Sequence, residues 1–143
     1  MQTRAIIAPR AAETWLVVDD FYPLRRLLGH WLRRAGTPVL CAADGGEAWK
    51  LLARQRWGGL ITDCVMPGLD GLALIRRVRR EPHLTGLPVL MVSAECGPDF
   101  LAHALRAGAD AVLGKPCSRT HLLAAVRAAE SMKIPAGKAA GQE

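Results

Sequence analysis

Short apolar runs alternate with longer amphipathic stretches along most of the chain, and the alternation repeats five times. Each run is apolar throughout rather than at every second position, which is typical of strands that are buried on both faces. Strands are predicted over residues 14–20, 38–43, 58–63 and 87–94 and within residues 110–116. Strands of this kind form a parallel sheet whose two faces are covered by helices.

The stretches between these runs carry apolar residues at the three- and four-residue spacing of a helix face. Helices are predicted over residues 22–35, 45–55, 71–80, 98–108 and 118–130. Asp44, Asp70 and Ser118 stand where a side-chain oxygen can cap the first turn of a helix, and Gly36 stands where the first helix should end. The pattern therefore predicts an α/β domain of five β–α units.

The chain has 143 residues, enough for one domain with one hydrophobic core. The domain is expected over residues 13–132, between a flexible lead of residues 1–12 and a flexible tail of residues 133–143. Half of the residues are apolar and 22% are charged, as in soluble globular proteins. No apolar run is long enough for a membrane span or a secretory signal, so a cytoplasmic protein without membrane contact is expected.

The formal net charge of +6 raises the question of nucleic-acid binding. Many arginines, however, fall within the predicted helices, several of them near C-termini, where a cation complements the helix dipole. No aromatic interleaving, zinc-finger or helix-turn-helix pattern accompanies them, and the four cysteines share no metal-site or disulfide spacing. A solvated basic surface is favoured over direct nucleic-acid contact, and a basic docking face for an acidic partner stays an alternative.

Polar side chains stand at the carboxyl ends of four predicted strands, where sites form in open parallel sheets. The first strand ends in Asp19 and Asp20, the third in Asp63, the fourth in Ser93 and the fifth in Lys115. Carboxylates brought together repel one another unless a cation lies between them, and Mg²⁺ prefers such oxygen ligands together with phosphate. The set points to phosphoryl transfer, with Asp63 as the best candidate for a nucleophile that forms an aspartyl-phosphate.

Four segments carry a resemblance to a known family: "LVVDD", "ITDCVMPGLDG", "VLMVSA" and "GKP". Over about residues 14–132 the chain resembles the receiver domain of bacterial two-component response regulators. The resemblance implies a flavodoxin-like three-layer fold with strand order 2-1-3-4-5. It also implies a phosphoprotein that acts as a signalling switch and is not an enzyme in the usual sense, apart from its own phosphotransfer and autodephosphorylation.

The same resemblance assigns roles to the acidic residues. Asp63 matches the phosphoacceptor. Asp20 and Asp63, with the backbone carbonyl of Val65, match the direct ligands of a Mg²⁺ ion, and Asp19 matches the acid that orients metal-bound water. Val65 is apolar where polar side chains are common, and we hypothesise that it restricts the attacking water and slows dephosphorylation.

The remaining matches lie near the ends of the fourth and fifth strands. Ser93 matches the hydroxyl that turns toward the phosphoryl group, and Lys115 matches the ammonium that pairs with it. Pro116 matches a proline that follows a cis peptide bond, a rare geometry elsewhere. Val112 departs from the family, which usually has an aromatic residue three positions before the lysine. A valine cannot make the same large side-chain swing when the hydroxyl moves.

The resemblance implies partners as well. The phosphoryl group is expected from a histidine kinase or a histidine phosphotransfer protein. A downstream protein is expected to bind the face made by the fourth helix, fifth strand and fifth helix. Phe100, Leu101, Leu105 and Val112 are candidates for an exposed apolar patch there, with burial of most of them in the core as the alternative. The chain is expected to be a monomer or a phosphorylation-dependent dimer.

Several alternatives stay open at this point. The sequence of residues 62–71 also resembles that of receivers attached to hybrid sensor kinases, so the chain is either a stand-alone receiver or a module of a longer protein. An aspartyl-phosphate phosphatase typically has a second acid where this chain has Val65. A flavodoxin-like binding module is disfavoured because no Ser/Thr/Gly-rich phosphate loop follows the first strand. A degenerate receiver is disfavoured because every acid, hydroxyl and lysine position is filled.

Overall fold

A computed structural model of the chain describes residues 13–132, so the predicted lead and tail lie outside the described residues. The strands are β1 (Trp15–Val18), β2 (Val39–Ala42), β3 (Gly59–Asp63), β4 (Val89–Ser93) and β5 (Ala111–Gly114). The helices are α1 (Tyr22–Arg34), α2 (Gly45–Leu52), α3 (Gly71–Arg80), α4 (Pro98–Ala107) and α5 (Arg119–Ser131). The predicted β–α alternation is confirmed, with one short 3-10 turn over Pro82–Leu84 that the pattern did not predict.

The five strands form one parallel sheet in the order β2-β1-β3-β4-β5, which confirms the expected topology. The register pairs Val18 with Thr62 and Asp63 with Val92. The carboxyl ends of β1, β3 and β4 therefore lie side by side. The strand order reverses between β1 and β3, which is the place where ligands bind in open α/β sheets.

The core lies on both faces of the sheet because successive strand residues point to opposite sides. In β1, Trp15 and Val17 pack with the residues of α1 and α5, whereas Leu16 and Val18 pack with those of α2, α3 and α4. Both sets are fully buried. This two-sided burial is the reason that the strands are apolar at every position.

Side-chain caps fix where the helices begin, as the sequence predicts. The cap oxygens accept hydrogen bonds from the backbone N–H three residues on, at Asp44 (2.8 Å), Asp70 (2.9 Å) and Ser118 (3.1 Å). Gly36, with a φ of 93°, lies just beyond the end of α1. α2 ends at Leu52, earlier than predicted, and the indole of Trp57 donates to the carbonyl of Leu51 in its last turn.

Within residues 13–132, no helix combines the length and the apolar character that a membrane crossing requires. The four cysteines all lie in this part of the chain and are free thiols.

Candidate functional site

Three acidic side chains meet at the carboxyl edge of the sheet. Asp19 follows β1 directly and Asp63 is the last residue of β3, its neighbour in the sheet. Carboxylate oxygens of Asp19, Asp20 and Asp63 all lie within 4.8 Å of one another. Asp19 and Asp63 are buried, and Asp20 is exposed. The structure thus brings together the three acids that the sequence places at separate strand ends.

Lys115 joins this cluster from the end of β5. Its Nζ donates to Asp63 Oδ1 at 3.0 Å and lies 3.4 Å from Asp19 Oδ2. Burial alone would lower the pKa of Lys115, but the hydrogen bond to Asp63 and the charge of Asp19 outweigh burial and raise it. The ammonium is therefore held in its charged form between two carboxylates. The peptide bond between Lys115 and Pro116 is cis, the geometry that the resemblance implies.

The negative charge of the Asp19 carboxylate is only partly balanced by its hydrogen bond and its ion pair. Its Oδ1 accepts from the backbone N–H of Phe21 at 2.9 Å, whereas its buried Oδ2 accepts no hydrogen bond. The contact of Oδ2 with Lys115 is an ion pair at longer range and not a well-formed hydrogen bond. Burial raises the pKa of Asp19 more than the Phe21 hydrogen bond lowers it, and the nearby Asp63 raises it further. The cluster carries more negative charge than its one lysine neutralises.

Ser93, the last residue of β4, is 2% exposed and lies on the strand next to Asp63. Its Oγ accepts from the backbone N–H of Glu95 at 3.0 Å, and its carbonyl accepts from the backbone N–H of Lys115 at 2.9 Å. The hydroxyl hydrogen donates to no acceptor among the described residues. Ser93 therefore has a donor available beside the acidic cluster.

The turn after β3 holds Asp63 in place. Asp63 Oδ1 accepts from the backbone N–H of Cys64 at 2.7 Å, and the carbonyl of Cys64 accepts from Gly71 at 2.8 Å. A Cβ on Gly71 would lie 2.0 Å from the Asp63 carbonyl, so only glycine permits this close approach. Gly68 adopts a positive φ of 75° in the same turn. Val65 begins the turn and is 78% exposed, which leaves its side chain at the rim of the site.

The predicted apolar patch on α4 and β5 is only partly present. Leu101 and Leu105 are 40% and 45% exposed and lie one helical turn apart. Phe100 and Val112 are instead half-buried and pack against the core beneath α4. Of the four candidates, Phe100 and Val112 therefore follow the alternative of core packing, and only Leu101 and Leu105 are exposed.

Arg25 is a residue of this region that the sequence did not indicate. Its Nη1 donates to the backbone carbonyl of Asp19 at 2.6 Å, and its guanidinium lies over the ring of Tyr22, 5.3 Å from the centroid. The only available signal was the position of Arg25 in the first turns of the helix that follows Asp19. Several other arginines occupy helices in the same way, so nothing in the sequence distinguishes Arg25 from them.

The donor set fits a small, hard divalent cation. Three carboxylates lie close together, two of them buried, and one buried oxygen accepts no hydrogen bond. Mg²⁺ is held in this way by a few carboxylates and completes its shell with water or phosphate oxygens. The residues present therefore fit a magnesium site better than a purely structural ion-pair cluster, in which buried acceptors are normally satisfied.

A five-stranded parallel sheet with acids at the switch point places the protein in the class of open α/β domains that bind their ligand at the sheet edge. The family described as the response regulator receiver domain matches residues 15–127, and the chain belongs to this family. Receiver domains serve in two-component signalling and are not classical enzymes.

Individual relatives agree with this assignment. The chemotaxis protein CheY of Pseudomonas aeruginosa is 41% identical over 102 residues, which cover 71% of this chain and 82% of that protein. A putative response regulator from Chloroflexus aurantiacus superposes with a TM-score of 0.80 at 34% identity, over 83% of this chain and 98% of that one. The receiver domain of a Pseudomonas aeruginosa sensor histidine kinase has a TM-score of 0.78 at 27% identity, over 85% and 99% of the two chains, and its structure holds magnesium in the active-site cleft.

Proposed function

We propose that this chain is a phosphorylation-dependent signalling switch that accepts a phosphoryl group on Asp63. The observation that carries the proposal is the pairing of Lys115 Nζ with Asp63 Oδ1 at 3.0 Å, beside two further acids, in a receiver domain. A lysine held against one carboxylate oxygen is placed to neutralise charge that develops when that carboxylate attacks phosphorus. The donor is a phosphohistidine on a kinase or on a phosphotransfer protein.

In the transfer, a carboxylate oxygen of Asp63 attacks the donor phosphorus, and the phosphorus–nitrogen bond breaks as the imidazole leaves. Lys115 stays protonated and pairs with the transferred group. Asp19, Asp20 and Asp63, with the backbone carbonyl of Val65, are the residues that would hold Mg²⁺. When bound, the ion supplies neutralisation of phosphate charge. Water later attacks the acyl phosphate, which releases inorganic phosphate and restores the Asp63 carboxylate.

The conformational response to phosphorylation uses the hydroxyl hydrogen of Ser93 as a donor. A phosphoryl group brings about two negative charges and strong acceptor oxygens. If Ser93 turns to donate to them, it gives up its bond with the Glu95 N–H, and the chain between β4 and α4 rearranges. A shift from mostly inactive to mostly active needs about 5.5 kcal/mol of differential binding. Charge-assisted hydrogen bonds of about 1.5–3 kcal/mol each supply that amount. The downstream partner binds at α4, β5 and α5, where Leu101 and Leu105 are exposed.

The test is labelling with acetyl phosphate in the presence of Mg²⁺, read by intact-protein mass spectrometry. The wild type gains one phosphoryl group, and the Asp63→Asn variant gains none while its circular dichroism stays unchanged. Asp70→Asn is the matched control, since it removes an acid from the same turn and an asparagine still caps α3. Labelling of the Asp63→Asn variant at the wild-type level would refute the assignment of the acceptor.

The same chemistry holds whether the chain acts alone or within a longer regulator, as in the hybrid-kinase alternative. A phosphatase that turns over free substrates is not favoured, because Val65 occupies the position of its second acid and is 78% exposed.

A further inference from the structure

A pocket with a charged lining lies between α1 and the outer edge of β2, and among its lining residues Arg25 borders the acidic cluster through its hydrogen bond to the backbone carbonyl of Asp19. Its volume is about 440 Å³. Tyr22 and three arginines of α1 form one wall, and Cys41 of β2, Ala43 and Glu47 of α2 form the other. Pockets of this size accept small-molecule ligands, which typically occupy about 300–1,000 Å³. None of these side chains takes part in the phosphoryl transfer proposed above.

The pocket has an uncompensated positive charge. Three arginines and one glutamate give it a formal charge of 3 − 1 = +2. Within residues 13–132, Arg25, Arg26 and Arg33 form no ion pair with any acidic side chain. Glu47 is already engaged, because its Oε1 accepts from the backbone N–H of Ala43 at 2.6 Å. An anion that entered the pocket would meet three cations free of acidic partners.

Each arginine is anchored by one N–H and keeps its other donors. A guanidinium has five N–H groups. Arg25 Nη1 donates to the carbonyl of Asp19 at 2.6 Å, Arg26 Nη1 to the hydroxyl of Tyr22 at 3.3 Å, and Arg33 Nη2 to the carbonyl of Val39 at 3.0 Å. These bonds hold the side chains over the pocket and reduce the entropy that a ligand must overcome.

The sequence of α1 builds this arrangement. Tyr22, Arg25, Arg26 and Arg33 recur at helical spacing on the side that faces β2. Gly29 lies between them and is buried. A Cβ at Gly29 would lie 3.3 Å from Arg33 Nη1 and 3.4 Å from Cys41 Sγ, so the glycine provides the space in which Arg33 reaches back toward β2.

We propose that this pocket is a binding site for a small phosphorylated anion, held without covalent reaction by Arg25, Arg26 and Arg33. Guanidinium groups bind phosphate oxygens through paired N–H groups, which a pocket lined by three of them can repeat on a di- or triphosphate. The site is separate from Asp63 and requires no phosphorylation.

The experiment titrates inorganic pyrophosphate into the full chain, followed by calorimetry and by backbone amide NMR shifts. The buffer is freed of metal on a chelating resin, because pyrophosphate bound to Mg²⁺ could enter the acidic cluster. Saturable binding at one site is expected, with the largest shifts in α1 and at Cys41. The Arg26→Gln/Arg33→Gln double variant should bind at least tenfold more weakly. Arg34→Gln/Arg80→Gln removes the same charge from exposed positions outside the pocket and should bind as the wild type does.

A further variant separates binding in this pocket from binding at the acidic cluster. Asp63→Asn cannot accept a phosphoryl group, yet it should bind pyrophosphate normally, so failure of the proposed phosphoacceptor and failure of this pocket are told apart. No saturable binding to the wild type, or equal weakening in both double variants, overturns the proposal, and so does a loss of binding confined to Asp63→Asn.

Discussion

Two networks of hydrogen bonds and ion pairs, each centred on a single basic side chain, lie at opposite ends of the sheet. They are built differently. The Lys115 cluster (Lys115, Asp19, Asp20 and Asp63) lies at the carboxyl edge. The Arg79 cluster lies at the amino ends of β4 and β5 and consists of Arg79, Thr85, Leu87, Gly108 and Asp110.

In the Arg79 cluster every charged group has partners. Arg79 donates from Nε and Nη2 to the carbonyl of Gly108 at 3.0 and 2.7 Å, and from Nη1 to the carbonyls of Thr85 and Leu87 at 2.8 and 2.7 Å. Its Nη2 also reaches Asp110 Oδ2 at 3.1 Å. The same oxygen accepts from the backbone N–H of Val89 at 2.7 Å, at the start of β4. One side chain thus ties the end of α3 to the starts of two strands.

In the Lys115 cluster one ammonium faces two buried carboxylates, and Asp19 Oδ2 accepts no hydrogen bond. Burial and the neighbouring Asp63 raise the pKa of Asp19, so the fold holds this charge at a cost. A complete network stabilises the protein as it stands, whereas an incomplete one leaves groups available for a ligand. The difference marks which end of the sheet serves stability and which serves function.

The largest effect is expected at the Arg79 cluster. Arg79→Met keeps most of the apolar stem but leaves the carbonyls of Gly108 and Leu87 without their donor. The free energy of unfolding should fall by about 2–3 kcal/mol, because these partly buried carbonyls lose their hydrogen-bond donor. Urea denaturation measures it. Arg80→Met is the matched control on the exposed side of α3 and should change stability by less than about 0.5 kcal/mol. A loss at Arg79 no larger than at Arg80 would contradict a structural role for this cluster.

The next effect belongs to the Lys115 cluster and depends on a ligand. Mg²⁺ should raise the melting temperature, because binding to the folded state alone adds about 2.7 kcal/mol at a hundredfold excess over Kd. Thermal unfolding with and without Mg²⁺ measures the shift. Asp20→Asn should lose the shift, and Arg79→Met should keep it in full, since distant sites contribute additively. A shift that survives in Asp20→Asn, or vanishes in Arg79→Met, would mean that the ion binds elsewhere.

The difference between the clusters also explains what the sequence could predict. Asp19 and Asp63 each end an apolar run, and parallel strands bring their carboxyl ends to one edge, so their meeting follows from pattern and topology. A charge at the end of a buried strand is conspicuous against its neighbours. The members of the Lys115 cluster were therefore predictable from the sequence. The lack of a hydrogen-bond donor to Asp19 Oδ2 was not.

The Arg79 cluster could not be predicted in the same way. Arg76, Arg77, Arg79 and Arg80 stand together at the end of α3, and nothing local distinguishes them. Only the packing of α3 against the starts of β4 and β5 decides which arginine turns inward. The exposed faces of α4 present the same difficulty, since the burial of Phe100 and the exposure of Leu101 depend on how the helix is rotated over the sheet.

A smaller effect is expected from the uncompensated acid itself. The folded state raises the pKa of Asp19 above its ordinary value of 3.8, so the folded protein binds the proton more tightly than the unfolded chain. The free energy of unfolding therefore falls as the pH rises from the ordinary pKa through the raised pKa of the folded state. In metal-free buffer at pH 7, Asp19→Asn should therefore be more stable than the wild type by about 1 kcal/mol, in the range of single substitutions. The gain should shrink as the pH falls and disappear well below pH 3.8, where Asp19 is protonated in the folded and the unfolded chain alike. Urea denaturation across pH tests the sign, and a variant less stable than wild type at pH 7 would contradict it.

The smallest effect concerns a rate, not stability, and lies at the rim of the Lys115 cluster. Val65 is 78% exposed, so Val65→Asn should leave the free energy of unfolding unchanged. A polar side chain there can hold the water that attacks the acyl phosphate, and we expect dephosphorylation about two- to fivefold faster, equal to about 0.4–1 kcal/mol in the barrier. The decay of acetyl-phosphate-labelled protein gives the lifetime, with Val65→Ile as the control that keeps an apolar side chain. An unchanged lifetime in Val65→Asn would reject the role of Val65. A faster decay at an unchanged free energy of unfolding would show that a substitution at this end of the sheet can alter the reaction rate without altering stability. No substitution in the Arg79 cluster should do so, because its polar groups are all engaged in structural hydrogen bonds.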